Sequence, residues 1–176
     1  VINTSNIKTS GTQTYKGKVT LSKNTTLTAP ASNIKFDGTV DGPQSLTIAG
    51  NAAVEFNNPV GSATSLAALT TGTGLTTINA ASIKTSGTQT YKGKLELGAN
   101  AKIQTVNAAS VTFEETVNSA SAGTNEFSLT IEGAAKPEFK KDVGFGAKGL
   151  AALTTDTNTE AVINTSNIKT SGTQTY

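Results

Sequence analysis

The side chains best suited to chemistry are three carboxylates in the first half of the chain, Asp37, Asp41 and Glu55. Carboxylates gathered on one face can act as an acid and base pair or hold calcium. Their counterparts in the second half are Glu114, Asn118 and Glu138, so the set is not kept. The chain has no His to serve as a base, which excludes a Ser-His-Asp triad, and no Cys for a thiolate metal site or a disulfide. It also lacks the Gly-Gly-x-Gly-x-Asp nonapeptides of calcium-binding rolls. Catalytic residues, metal ligands and cofactors are therefore assigned as none, and the chain is read as not an enzyme. Thr25-Thr26, Thr76-Thr77 and the pair Thr12 and Thr14 invite comparison with an ice-binding face. Their places along the chain are uneven, however, and Thr is common in exposed strands through β-propensity alone. Lys8, Lys16, Lys18 and Lys23 are read as a basic patch that could meet an anionic glycan or protect a sheet edge.

What positions these residues is a tandem repeat. The stretch Val1–Tyr15 recurs unchanged as Val162–Tyr176 and returns, drifted, as Ile78–Lys84 followed by the unchanged Thr85–Tyr91. Tyr15, Tyr91 and Tyr176 thus lie 76 and 85 residues apart. The chain divides into unit 1 (1–77), unit 2 (78–162) and the start of a further unit (163–176), forming one continuous solenoid. The third opening matches the first and not the second, so the larger period is a pair of units. Neither end reads as a cap, and the chain is expected to be a window on a longer array.

Each unit repeats a smaller motif, an aromatic followed four positions later by Val or Leu: Tyr15 and Val19, Phe36 and Val40, Phe56 and Val60, then Tyr91 and Leu95, Phe113 and Val117, Phe139 and Val143. Residues four apart on a strand share a face, so each motif is read as one inward-facing strand and the twelve residues as a core ladder. Between Phe56 and Tyr91 one further rung fits, filled by Leu66, Leu69, Leu75, Ile78 and Ile83. The result is an all-β parallel β-helix with about four rungs of about 19 residues per unit.

Corners are expected at Gly42-Pro43, Ala49–Asn51, Gly61, Gly72–Gly74 and Gly98–Asn100, with a bulging turn over Ser119–Asn125. The two Leu-Ala-Ala-Leu stretches are expected to be turns or strand edges. Stacked this way, the residues after each aromatic form an outward column of Lys16, Asp37 and Asn57, then Lys92, Glu114 and Lys140. Those before it give Thr14, Lys35 and Glu55. Opposite charges one strand spacing apart would penalise a slipped register more than they stabilise.

The chain is 35% hydrophobic and 5% aromatic, which suits a thin regular core. A net charge of +2 without Arg, and few aromatics to stack on bases, argues against nucleic acid as a partner. No run is long and apolar enough for a membrane helix.

The string Ile7–Leu21, followed by Asn-Thr-Thr-Leu-Thr, Ile-Lys-Phe-Asp-Gly-Thr-Val-Asp-Gly, Ser-Leu-Thr-Ile and Leu-Ala-Ala-Leu-Thr, resembles the tandem repeats of giant secreted bacterial β-helix proteins, the filamentous-haemagglutinin-like exoproteins and autotransporter passengers. The resemblance implies an extracellular, bacterial cell-surface location and a right-handed parallel β-helix shaft that carries a tip away from the cell, a hand that agrees with the general preference of parallel crossovers. It carries over no site residue. The expected function is a rigid structural shaft or filament whose partners are neighbouring repeats of the same protein. One alternative is an adhesin module with a repeated glycan- or host-protein-binding face. A polysaccharide-active enzyme is disfavoured by the loss of the carboxylates in unit 2.

Overall fold

In the computed structural model the chain winds as a parallel β-solenoid of about eight coils. The structure describes residues 1–107, 109–120, 125–133, 136–156 and 160–176, among which there is no helix. Each coil has three sides, and the chain visits three sheets in the same cyclic order. The first face stacks Asn6–Lys8, Thr25–Thr28, Leu46–Ala49, Leu69–Thr71, Gln89–Tyr91, Ser110–Phe113, Lys136–Phe139 and Val162–Ile163. The second stacks Gln13–Tyr15, Asn33–Phe36, Ala53–Phe56, Thr76–Ile78, Leu95–Leu97 and Val117–Ser119, and continues through single bridges to Val143 and Ile168. The third begins with Ile2, bridged to Leu21, and continues with Val19–Thr20 and Val40–Asp41. It passes through Val60 to Ser82–Thr85, Ala101–Thr105, Leu129–Gly133, Leu153–Thr155 and Gln174–Thr175.

These segments are strands because apolar and polar residues alternate within them and β-branched residues dominate. Leu46–Ala49, for example, alternates buried Leu46 and Ile48 with half-buried Thr47 and Ala49. The sides are too short to form sheets alone, so the backbone groups of each coil pair with those of the coils before and after. Val19 N, for instance, donates to Thr39 O at 2.8 Å.

The aromatic-to-Val motif turns out to straddle a corner. Tyr15, Phe36 and Phe56 end strands of the second face, whereas Val19, Val40 and Val60 lie on the third. Both members face inward because the three residues between them turn the chain through the corner. Gly38 sits where a Cβ would come 2.4 Å from the backbone carbon of Gly17 one coil away, so that position admits no side chain.

Inward residues form columns. Phe36, Phe56, Tyr91, Phe113, Phe139 and the six paired Val or Leu residues are buried, and Tyr15, in the first coil, is half-buried. The aromatics form two ladders on different faces. Tyr15, Phe36 and Phe56 stack on the second face with ring centroids 4.9 and 5.3 Å apart. Tyr91, Phe113 and Phe139 stack on the first at 5.3 and 5.0 Å. Parallel rings at this spacing add about 0.5–1.5 kcal/mol per pair beyond burial of their area. The ladder changes face at the coil without an aromatic, where Leu66, Leu69, Ile78 and Ile83 are buried. Leu75, expected among them, is instead 36% exposed, because it follows the Gly72–Gly74 corner and points off the prism.

In-register residues of the first face, Asn6, Thr26, Thr47, Thr70, Thr90, Thr112, Glu138 and Val162, mark successive coils of 20 to 26 residues. The expected 19 was too short, because a unit does not close a whole number of coils. Between Gln13–Tyr15 on the second face and the identical Gln89–Tyr91 on the first, the described chain passes eleven sides. The next interval, to Gln174–Thr175 on the third face, also spans eleven described sides, despite its nine extra residues. A unit is therefore three and two-thirds coils, and each copy of the repeat stands one face away from the last. The expected corners at Gly42, Gly50 and Gly61 have positive φ. The bulge expected over Ser119–Asn125 lies mostly at 121–124, outside the described residues.

Candidate functional site

The carboxylates do not converge. Asp37 and Glu55 flank Lys35, with Nζ 3.6 Å from Asp37 Oδ1 and 3.4 Å from Glu55 Oε2. Asp37 also accepts from Asn57 Nδ2 at 2.8 Å, and Glu55 from Asn79 Nδ2 at 2.9 Å. Asp41 lies on the third face, buried, accepting from the backbone N–H groups of Ala63 (2.8 Å) and Thr64 (3.3 Å) with Lys18 at 3.7 Å. It holds the loop after Val60 in place. In unit 2, Glu138 meets Lys140 (3.8 Å) and Asn164 (3.1 Å), and Asn118 accepts from the Gly146 N–H (2.8 Å). Among the described residues no group of three or more potential metal ligands comes together.

The outward columns are in register, but their charges pair differently from expectation. Thr14, Lys35 and Glu55 are successive partners, and Lys35 and Glu55 form an ion pair. Among the described residues no ion pair joins Lys16 to Asp37, or Glu114 to Lys92 or Lys140. Those residues follow the aromatic into the corner, where the chain turns away from the flat sheet, so Asp37 is met by Lys35 of its own coil. The four lysines of the predicted basic patch also separate: Lys8 is on the first face, Lys16 and Lys18 are at one corner, and Lys23 is at another. Thr residues, uneven in sequence, do fall in register: Thr26, Thr47, Thr70, Thr90 and Thr112 form one half-exposed row on the first face.

The arrangement that recurs is one sequence reasoning missed. In the first copy the Gln13 side chain is buried behind the corner that joins the first and second faces. Its Nε2 donates to Thr28 O (2.9 Å) and Thr9 Oγ1 (3.2 Å), with Ile7 O at 3.5 Å, and its Oε1 accepts from the Tyr15 hydroxyl (2.9 Å). Thr9 Oγ1 in turn donates to Gly11 O (2.6 Å). In the second copy, at the corner between the third and first faces, Gln89 donates to Gln104 O (2.7 Å) and Thr85 Oγ1 (3.2 Å), and Tyr91 donates to Gln89 Oε1 (2.7 Å). The third copy rebuilds the bonds among Thr170, Gly172, Gln174 and Tyr176 at the remaining corner. One seven-residue segment therefore closes all three kinds of corner with one internal network.

Chemically, the network satisfies a buried amide and a buried phenol, whose lone presence in the core would cost about 1–3 kcal/mol each. The two later copies also sit on the same seat. Leu66 pairs with Thr85 and Leu150 with Thr170. Gly87 N donates to Ala67 O, and Gly172 N to Ala151 O, each at 2.8 Å. The signals were legible: Thr85–Tyr91 is kept where its flank drifts, and Gln two residues before an inward Tyr must itself face inward.

In comparisons with protein-family models, curated proteins and solved structures, the chain matches none.

Two outcomes follow from this geometry. A Cβ on Gly87 would lie 2.6 Å from Ala67 O, whereas one on Gly11, in the same local sequence, meets nothing within 4 Å. Gly87→Ala is expected to destabilise by about 1–3 kcal/mol and Gly11→Ala by less than about 0.5 kcal/mol, read from urea midpoints. Equal midpoints would refute the seating. Burial pushes the Tyr91 phenol far above its ordinary range. The unfolded chain releases that proton near pH 10 while the fold retains it, so the associated stability is present below pH 10 and declines above it. Alkaline ultraviolet titration should show Tyr91 ionising with unfolding, and Tyr91→Phe should remove one tyrosine's share of that late step, burial also raising Tyr15 and Tyr176.

Proposed function

We propose that the chain is a structural segment of an extracellular bacterial surface shaft, in which tandem units extend one continuous solenoid and repeat number sets length. The observation that carries this reading is the unbroken run of inward columns and coil-to-coil hydrogen bonds through every coil, with unit 2 continuing the stack of unit 1 without a break. The polar side chains that recur between units support it further. They close corners and bond neighbouring coils, so what repetition preserves is the means of stacking. Among the described residues no helix is long and apolar enough to cross a membrane. The resemblance to secreted β-helix repeats supplies the location.

Such a shaft gains length in steps of three and two-thirds coils per unit, about 18 Å at a coil spacing of about 4.8 Å. Electron microscopy of the parent assembly on the producing cell should show thin rods with an axial repeat near 35 Å, the length of a unit pair at that spacing. Compact particles, or label confined to the cell interior, would overturn the proposal.

A further inference from the structure

We infer that Asp142 is matched to the Thr165-to-Asn167 opening that stacks on it, so that stacking at this junction is stabilised by a contact that the other kind of opening does not reproduce. The inference rests on the stacked-unit reading above and concerns the contacts between the end of one unit and the opening of the next.

Both junctions share a backbone frame. At the first, Asn79 N donates to Phe56 O and Lys84 N to Val60 O; at the second, Asn164 N donates to Phe139 O and Lys169 N to Val143 O, all at 2.9 Å. Asn79 meets Glu55, and Asn164 meets Glu138. Gly61 and Gly144, both with positive φ, lie where a Cβ would strike the carbonyls of Lys84 and Lys169. Within this frame one set of positions differs. Where the last aromatic-to-Val motif of unit 1 closes in Pro59-Val60, that of unit 2 closes in Asp142-Val143; where the opening at the first junction reads Asn79-Ala80-Ala81-Ser82, the opening at the second reads Asn164-Thr165-Ser166-Asn167.

The differing residues touch. Thr165 Oγ1 donates to Asp142 Oδ1 at 2.6 Å, and Asn167 Nδ2 donates to Asp142 Oδ2 at 3.2 Å. These two bonds hold the Asp142 carboxyl below its usual range. Bonds to an ionised carboxylate are about twice as strong as neutral ones. At the other junction a proline, which offers no side-chain acceptor, stands in the place of Asp142, and Ala80, which offers no donor, stands in the place of Thr165, with Ser82 in the place of Asn167. A crossed pairing would set donors against Pro59, or Asp142 against Ala80. Thr165 Oγ1 also lies 3.5 Å from Asn167 O, the contact that Thr4 makes to Asn6 O at 3.4 Å, so the bond to Asp142 is added to one that the opening makes by itself. Mismatched stacking is thus penalised at the contact, the way specificity is commonly built.

The test uses hydrogen exchange on the full chain, reading the Asn164 and Lys169 amides at the second junction and those of Asn79 and Lys84 at the first. Asp142→Ala and Thr165→Ala should each speed exchange at the second junction about fivefold, and the double variant should be no faster than the quicker single one. Asp142→Pro should do the same, and adding Thr165→Ala, Ser166→Ala and Asn167→Ser, which rebuilds the first junction's pairing, should restore protection. Unchanged exchange at Asn79 and Lys84 in each sample establishes that the solenoid is intact. Multiplying effects in the double variant, or a rebuilt junction no better protected than Asp142→Pro alone, would overturn the matching.

Discussion

Everything in this molecule depends on parallel hydrogen bonding between consecutive coils. Single sides of two to five residues cannot stand alone. Their backbone donors and acceptors are satisfied only by an adjacent coil held in register. Register in turn forces like positions into columns, so that Phe36 meets Phe56 and Val40 meets Val60. Each inward position is chosen to match the one before and after it, which is why a thin core suffices. The stability of such a stack resides in nearest-neighbour contacts and grows with their number.

The same constraint explains how one segment closes three corners. A triangular coil whose sides are hydrogen-bonded alike offers equivalent corners, so a segment that carries its own bonds fits any of them. The Thr, Gln and Tyr side chains of the repeat supply those bonds internally. What the segment asks of its surroundings is a backbone carbonyl for the Gln amide, from Thr28 in one copy and Gln104 in another. With that independence, a unit of eleven sides can advance the repeat by one face without loss of packing. The nine extra residues of unit 2 change no side count among the described residues. Identical sequences thus look out in three directions along the axis.

The inward ladders were legible in the sequence because aromatics are rare and their partners regularly spaced. The phase of the coil was not. An interval of 76 residues divides as well into four short coils as into three and two-thirds longer ones, and only hydrogen-bond register separates the two. A spacing of four between aromatic and Val fits one straight strand or two strands around a corner. Leu75 looked like core by composition, yet it follows the double-glycine corner and faces solvent. Column neighbours such as Lys35 and Glu55 could be named from alignment, but side-chain reach decided that Asp37 would pair within its own coil. The buried Gln escaped notice because Gln is ordinarily an exposed residue, even though its spacing from Tyr placed it inside.

The most direct test of the three-and-two-thirds-coil unit is a pair of distances. The chain has no Cys, so paired spin labels can be introduced at outward positions without interference. Thr14 and Glu96 lie on the second face four coils apart, in the column Thr14, Lys35, Glu55, Thr77, Glu96. Thr90, the repeat equivalent of Thr14, lies on the first face. Dipolar spectroscopy on T14C/E96C should give about 19 Å, and T14C/T90C a clearly longer distance, about 25 Å or more, although Thr90 is nearer to Thr14 in sequence. A T14C/T90C distance equal to or shorter than that of T14C/E96C would place the repeat on one face and contradict the account.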